Sequence, residues 1–266
     1  AIEQLQTTLT NFFYMESHIQ SYLRFAASSQ RDTAQIGPFL ATFSHSSDNP
    51  FLNYAIPDNN ATPSPVDIAA LISAYEARGL QPRLEYVERL APLVEPALTA
   101  AGFTVEGRFP IMVCTPGAEK DLPIPENIEL VLPTSDSELL DTVTVQHEAY
   151  GALPPNFEDV ERLRESIAMG GIAVLARDAT TGEAAGAGQL TIPGEMTTEI
   201  AGIGVRVSFR RRGIAGALTA RLVREAFAAG VSVAFITPGH DEEARIYSRA
   251  GFVPVGEILH ISRSSV

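Results

Sequence analysis

Cysteine and lysine each occur once in the 266 residues, as Cys114 and Lys120. A single cysteine excludes an intrachain disulfide and is compatible with a reducing compartment. Cys114 sits in IMVCTPG at the end of an apolar run, where a buried, inert thiol is expected. No apolar run approaches the roughly 18 residues of a membrane helix. The opening AIEQLQTTLT has neither a basic n-region nor an apolar h-region, so no signal peptide is expected, and the expected location is the cytoplasm. Basic residues are also scarce: 19 Lys and Arg stand against 32 Asp and Glu, a formal net charge of −13. Nucleic acid and anionic membrane are therefore not expected partners, since both need a broad basic face. The five histidines show no metal-ligand spacing, QHEAYG at 146–151 is not HExxH, and no GxSxG elbow occurs, so no metal is expected.

What is present is an ordinary globular composition, 45% hydrophobic and 19% charged, at a length suited to one large domain or two small ones. A faint repeat favours two. AAGFTVEG at 100–107 returns as RAGFVPVG at 249–256. Each copy follows a short helical stretch, and each is preceded by a strand candidate (RLEYV at 83–87, VSVAFI at 231–236) and an amphipathic helix (DIAALISAYEARG at 67–79, GIAGALTARLVREAFAAG at 213–230). The order implies a duplicated α/β unit, with 1–115 and 128–266 as halves and TPGAEKDLPIPEN at 115–127 as the linker. In the second half IELVLP reads as a strand. A helix capped by Ser135 or Asp136 follows, then a helix ending at Gly170, then three strands GIAVLARD, AAGAGQLTI and TEIAGIGVRV.

The densest cationic cluster, Arg210–Arg212, runs into Gly213 at what reads as a helix start. A helix N-terminus already carries about half a positive charge, so the cluster is favourable only when an anion joins it. Gly213, Ala215 and Gly216 would let such a ligand approach the exposed N–H groups. A P-loop would need GxxxxGK[ST], and GAGQLT at 186–191 runs on as a strand, which leaves a pyrophosphate-type anion at this helix as the expectation.

VRVSFRRRGIAGAL at 205–218 resembles the acyl-coenzyme A loop of the GNAT N-acetyltransferase superfamily: Arg210, two residues, Gly213, one residue, Ala215. DEEARIYSRAGF at 241–252 is similar to the family's next motif, with Ala, Tyr and Gly-Phe at matching spacing. The resemblance covers about 128–261. It implies an α/β fold of two GNAT-like mixed sheets flanked by helices, with the N-terminal copy degenerate, and acetyl-coenzyme A as cosubstrate. It further implies that N–H groups of Arg211, Arg212, Gly213, Ile214, Ala215 and Gly216 hold the pyrophosphate. Val205, Arg206 and Val207 would lie along the pantetheine arm, and Ala244, with a secondary contact from Asp241, would complete the coenzyme site. Asp241 is also expected to cap its helix.

For the chemistry, the resemblance turns Tyr247 toward the thioester sulfur, and a phenol, whose ordinary pKa is about 10, is a fit proton donor to the leaving thiolate. Glu199 matches the strand position at which histone-type members carry a basic Glu. An N–H near Val205 would serve the oxyanion. In the N-terminal half the place of Tyr247 is taken by Leu98, and PDNNATPSPVDIAALI stands where the coenzyme loop would be. That half is expected to bind no coenzyme and to wall the acceptor cleft, and its aromatic group Phe12, Phe13, Tyr14, Tyr22 and Phe25 is expected to pack within helices. The expected activity is acetyl transfer to a primary amine of a small molecule or peptide, a cationic amine suiting the acidic surface. A sugar amine or thiol-bearing metabolite is a further acceptor class, and a non-catalytic acyl-coenzyme A sensor is the alternative function. The oligomeric state is left open.

Overall fold

The computed structural model describes residues 2–264 apart from Gln30 and Ser46, with side chains described from residue 13 onward. In chain order the elements are α1 (Ile2–Ser28), β1 (Asp32–Ile36), β2 (Phe39–Phe43), β3 (Ala55–Pro57), α2 (Pro65–Glu76), β4 (Arg83–Val87), α3 (Val94–Ala100) and β5 (Thr104–Cys114). They continue as β6 (Ile128–Val131), α4 (Asp136–Tyr150), α5 (Phe157–Ala168), β7 (Ile172–Asp178), β8 (Ala184–Leu190), β9 (Thr197–Val205), α6 (Ile214–Ala228), β10 (Val233–Ile236), α7 (Asp241–Arg249) and β11 (Val253–Ser262). Two compact units result, one of residues 1–111 with 255–266 and one of residues 112–254. The last strand, which the sequence places at the end of the second half, therefore belongs with the first. In return, the end of β5 belongs with the second unit.

In the first unit β1, β2 and β3 form an antiparallel meander, β3 pairs parallel with β4 through Ala55 and Leu84, and β4 pairs antiparallel with β11, His260 opposite Glu85. The side chain of Arg83, 1% exposed, ties the strands together. It reaches Glu85, Glu106 (3.0 Å) and Nδ1 of His260 (3.1 Å). Burial holds the His260 pKa below its ordinary value, so its neutral ring can accept the Arg83 N–H. The start of α2 is closed by its own sequence. Pro65 takes the first helical position, the Ser64 hydroxyl accepts the Asp67 N–H, and the Asp67 carboxylate accepts the Ser64 N–H at 2.8 Å.

Two expectations change here. FLNYAI at 51–56, which reads as strand-like in the sequence, is a strand only at its end, because Asn49 caps and Pro50 starts a 3-10 turn over Pro50–Leu52. Of the aromatic group on α1, Tyr22 is buried, whereas Phe13, Tyr14 and Phe25 are exposed, and the Phe12 side chain lies outside the described residues.

The second unit runs β6-β7-β8-β9 antiparallel, β9 parallel to β10, and β10 antiparallel to the end of β5 through Ala234 and Cys114. Helices α4 and α6 pack on opposite faces. A Cβ on Gly204 of β9 would stand 2.7 Å from the Ala149 Cβ of α4, and one on Gly186 of β8 would stand 3.0 Å from Ile214 of α6. Ile214, Leu218, Leu222, Val223 and Ala226 of α6 join Val174, Ala185, Ile200 and Phe252 in the core. Cys114 is buried, and burial together with Glu119 pushes its thiol up to about 11, the unreactive state expected of it.

Ser135 is the cap of α4, with Glu138 completing a capping box by accepting the N–H groups of Thr134 (2.9 Å) and Ser135 (3.1 Å). These bonds, with help from Arg177, hold the Glu138 carboxyl down to about 2. Glu138→Ala should cost about 1–2 kcal/mol at neutral pH, read as a lower denaturation midpoint in urea. A carboxyl with a depressed folded-state pKa stabilises above its unfolded value of 4.5 and loses that contribution as pH falls toward 2. The gap between wild type and variant should therefore narrow below pH 4.5. A gap that stays constant with pH would count against the cap.

Candidate active site

The parallel pairing of β9 and β10 covers Thr197, Ala234 with Thr198, and Phe235 with Glu199, and then stops. Strand β10 ends at Ile236 while β9 continues to Val205, so the two part just beyond Glu199. Across β9, the ladder to β8 slips one register between Ala187 and Gln189, where Gly202 takes a positive φ of 63°. That extra residue is a β-bulge, and glycine accommodates its left-handed backbone. On the far side of the bulge, Arg206 donates to Ala185 O at 2.9 Å, which fixes the alternation of the ladder. Residues 204 and 206 turn their backbone groups to β8. Ile203 and Val205 turn theirs away from it, toward the gap left by β10.

Helix α4 is seated on the bulge through an i, i+4 pair. Gln146 donates to Gly202 O at 3.0 Å, and the Tyr150 hydroxyl donates to Ile203 O at 3.1 Å. Tyr150 is 62% exposed, and its hydroxyl is held at the Ile203 carbonyl. Burial of that hydroxyl, then Glu243 and Glu199, push it up to about 12. Tyr150 is not among the residues that the sequence motifs single out. The only signal for it is the spacing of Gln146 and Tyr150 together with the glycines of AGIGV.

After Val205 the chain makes a 3-10 turn, Val207–Phe209, that buries Phe209 and leaves Val207 exposed. Arg211 (φ 62°) and Gly213 (φ 88°) are left-handed and carry the chain into α6. No side chain caps this helix. Its first internal bond is Ala217 N–H to Gly213 O, so the N–H groups of Ile214, Ala215 and Gly216 have no acceptor within the helix. Three of the arginine side chains around this turn have partners within the chain. Arg206 pairs with Glu148 at 2.7 Å, and Arg210 bonds Val205 O at 3.1 Å. Arg212 bonds Glu126 O at 3.4 Å with its guanidinium over the Phe209 ring. Among the described residues, Arg211 is the member of the cluster without a side-chain partner. Carbonyl acceptors leave the charge of Arg210 and Arg212 intact, so the turn stays cationic around an open helix end.

Helix α7 supplies the remaining groups. His240, not Asp241, is its cap residue, and Asp241 is exposed at the first helical position. The Glu243 carboxylate reaches back to accept the Gly239 N–H at 2.7 Å. Ala244 packs half-buried against the core. The Tyr247 ring is 5% exposed beside Phe252, and its hydroxyl makes no hydrogen bond among the described residues. Burial first, then Glu243 and Tyr150, raise its pKa above the ordinary phenol value. Glu199, Glu243, Tyr150 and Tyr247 thus form one electrostatic cluster in which both phenols keep their protons at neutral pH. No group of His, Cys, Asp or Glu suited to a metal occurs among the described residues, and no helix among them is long and apolar enough to cross a membrane.

Residues 141–252 match the acetyltransferase (GNAT) family model, a span that holds the bulge, the cationic turn and both phenols. A GCN5-related N-acetyltransferase from Kribbella flavida is 24% identical, covering 94% of this chain and 96% of its own, with a TM-score of 0.79. One from Sphaerobacter thermophilus is 17% identical over 86% of this chain and 78% of its own, with a TM-score of 0.66. A tandem GNAT protein from the clavulanic acid biosynthesis pathway is 13% identical over 84% and 77%, with a TM-score of 0.63. At these identities the structures establish the fold, a mixed α/β arrangement of strands flanked by helices. No curated protein sequence matches. The family uses acetyl-coenzyme A and acts on amine acceptors. On the family match, residues 141–252 of this chain are an acetyltransferase domain of the GNAT family.

Proposed function

We propose that the second unit transfers an acetyl group from acetyl-coenzyme A directly to a primary amine. The observation that carries this reading is the uncapped N-terminus of α6, reached through a cationic turn, directly after a strand edge left open by its neighbour. The N–H groups from Arg211 to Gly216 would hold the pyrophosphate, with Arg211 free to close over it. The outward backbone groups of Ile203 and Val205 would pair with the amide-rich arm as an added strand.

In the reaction the amine nitrogen bonds to the thioester carbonyl carbon, and the C–S bond then breaks. Glu199 takes the proton lost by the amine, directly or through water. An outward N–H of β9 steadies the oxyanion, and Tyr247 gives the thiolate its proton. Free coenzyme and an N-acetylated amine leave. Glu199 and Glu243 beside the gap favour a cationic acceptor.

The first unit fits a degenerate copy that holds no coenzyme. At the start of α2 the Asp67 carboxylate already occupies the place an anion would take. Leu98, fully buried, stands at the position of Tyr247 in the matching helix end, where Phe103 N–H bonds Leu98 O just as Phe252 N–H bonds Tyr247 O.

The test is calorimetric titration of the full chain with acetyl-coenzyme A, then release of free thiol with a panel of amines. Micromolar binding and amine-dependent thiol release are expected, and a folded chain that binds no acetyl-coenzyme A would end the reading. Glu199→Gln should lower kcat/KM about 10- to 100-fold near neutral pH and recover in part as rising pH deprotonates the amine unaided. An unchanged pH profile would remove Glu199 from the base role.

A further inference from the structure

The two outward carbonyls on the open edge of β9 are already taken by side chains of the chain itself. Ile203 O accepts the Tyr150 hydroxyl at 3.1 Å, and Val205 O accepts Arg210 Nε at 3.1 Å. An arm that adds to this edge as a strand needs those acceptors. Tyr150 lies at the very end of α4, where Gly151 turns the chain left-handed, and its ring lies mostly on the surface. Its hydroxyl can therefore leave without disturbing the core. Gln146, one turn earlier, holds the bulge through Gly202 O and keeps the strand in place when Tyr150 departs.

We propose that Tyr150 is a positioning residue that plugs the arm-binding edge of the free protein, and that the coenzyme arm docks by displacing its hydroxyl from Ile203 O. The proposal rests on the coenzyme reading above. Removing the hydroxyl removes a competitor of the arm, so Tyr150→Phe should bind coenzyme A more tightly, not less. A hydrogen bond of net worth about 1 kcal/mol corresponds to about five-fold in affinity.

The discriminating experiment titrates wild type and Tyr150→Phe with two ligands. One is coenzyme A; the other is 3′-phospho-ADP, which carries the phosphates but no arm. The expected result is coenzyme A binding about five-fold tighter in the variant, with 3′-phospho-ADP bound equally by both. A loss of general integrity would weaken both ligands alike, so the split between them reports on the arm alone. Equal coenzyme A affinity in both proteins would overturn the proposal, since Ile203 O could then serve both groups at once. Selectively weaker coenzyme A binding in the variant would overturn it too, making Tyr150 a direct contact of the arm. Should wild type bind 3′-phospho-ADP but not coenzyme A, the plug falls while the phosphate site stands. Should it bind neither, the coenzyme reading itself falls and takes the plug with it.

Discussion

Replacing Tyr247 with phenylalanine is expected to lower kcat about 100-fold or more while leaving the KM for acetyl-coenzyme A within about two-fold. The substitution keeps the ring, which is 5% exposed and packs beside Phe252 at 6.4 Å between centroids. It removes only a hydroxyl that has no hydrogen-bond partner among the described residues, so thermal stability should hardly move. A hydroxyl without a protein partner, carried on a buried ring, is available to donate to something that is not protein. Burial, reinforced by the Glu243 carboxylate and Tyr150, raises its pKa, so it remains a proton donor across the working range. No fall in activity from its ionisation should appear below its ordinary value of 10.0. Steady-state kinetics of the two proteins, with denaturation curves alongside, checks this. A kcat within about three-fold of wild type would reduce Tyr247 to a packing residue.

Placing a carboxylate at the head of α6 should be as damaging to binding as the loss of Tyr247 is to turnover. Gly213→Glu is expected to weaken acetyl-coenzyme A by about 100-fold or more in calorimetry. There is room for the side chain, since the nearest heavy atom to an added Cβ is Cγ of Pro125 at 3.9 Å. The cost to the fold is the left-handed backbone, φ 88°, which disfavours any L residue by about 1–2 kcal/mol. A carboxylate near three unbonded N–H groups would also be stabilised there, offsetting part of that strain. The damage to binding is electrostatic and local, because the new anion would occupy the site meant for the ligand's own. Gly213→Ala separates the two causes. It shares the strain without the charge and should lose less than about ten-fold. Equal losses in the two variants would mean that backbone geometry, not anion recognition, is what Gly213 serves.

The parts of this site that are legible in the sequence are those written in local chemistry. Gly213 after a run of arginines marks a helix start suited to anions, and the period of Ile214, Leu218 and Leu222 marks its buried face. Glu199 falls on its strand as the sequence suggests. That it sits at the last paired register depends on where β10 stops, which no local pattern in TEIAGIGV records. Tyr150 escapes notice because its role is set by a bulge about 50 residues later in the chain. The arginine side chains elude a sequence reading for a related reason. A cationic run tells how much charge is present, not which carbonyls the guanidinium groups reach, here Val205 O and Glu126 O. Residue type alone makes Asp241 the cap, whereas His240 takes the extended conformation that begins the helix. The repeat at 100–107 and 249–256 reveals matching helix ends but not which unit each following strand joins.

That last point bears on how the protein is made. A ribosome delivers the chain from its N-terminus, yet β4 of the first unit waits for β11, whose Ile258 follows its partner Val87 by 171 residues. Until then its edge presents unpaired N–H and C=O groups, the condition under which nascent chains pair with one another. The second unit can close sooner, since the end of β5 precedes it in synthesis and is ready when β10 appears. The half that carries the proposed catalytic groups should therefore mature first, while its N-terminal companion, although older in synthesis, is the later to fold. Gene fission at the linker would leave each product without a strand that its own sheet uses.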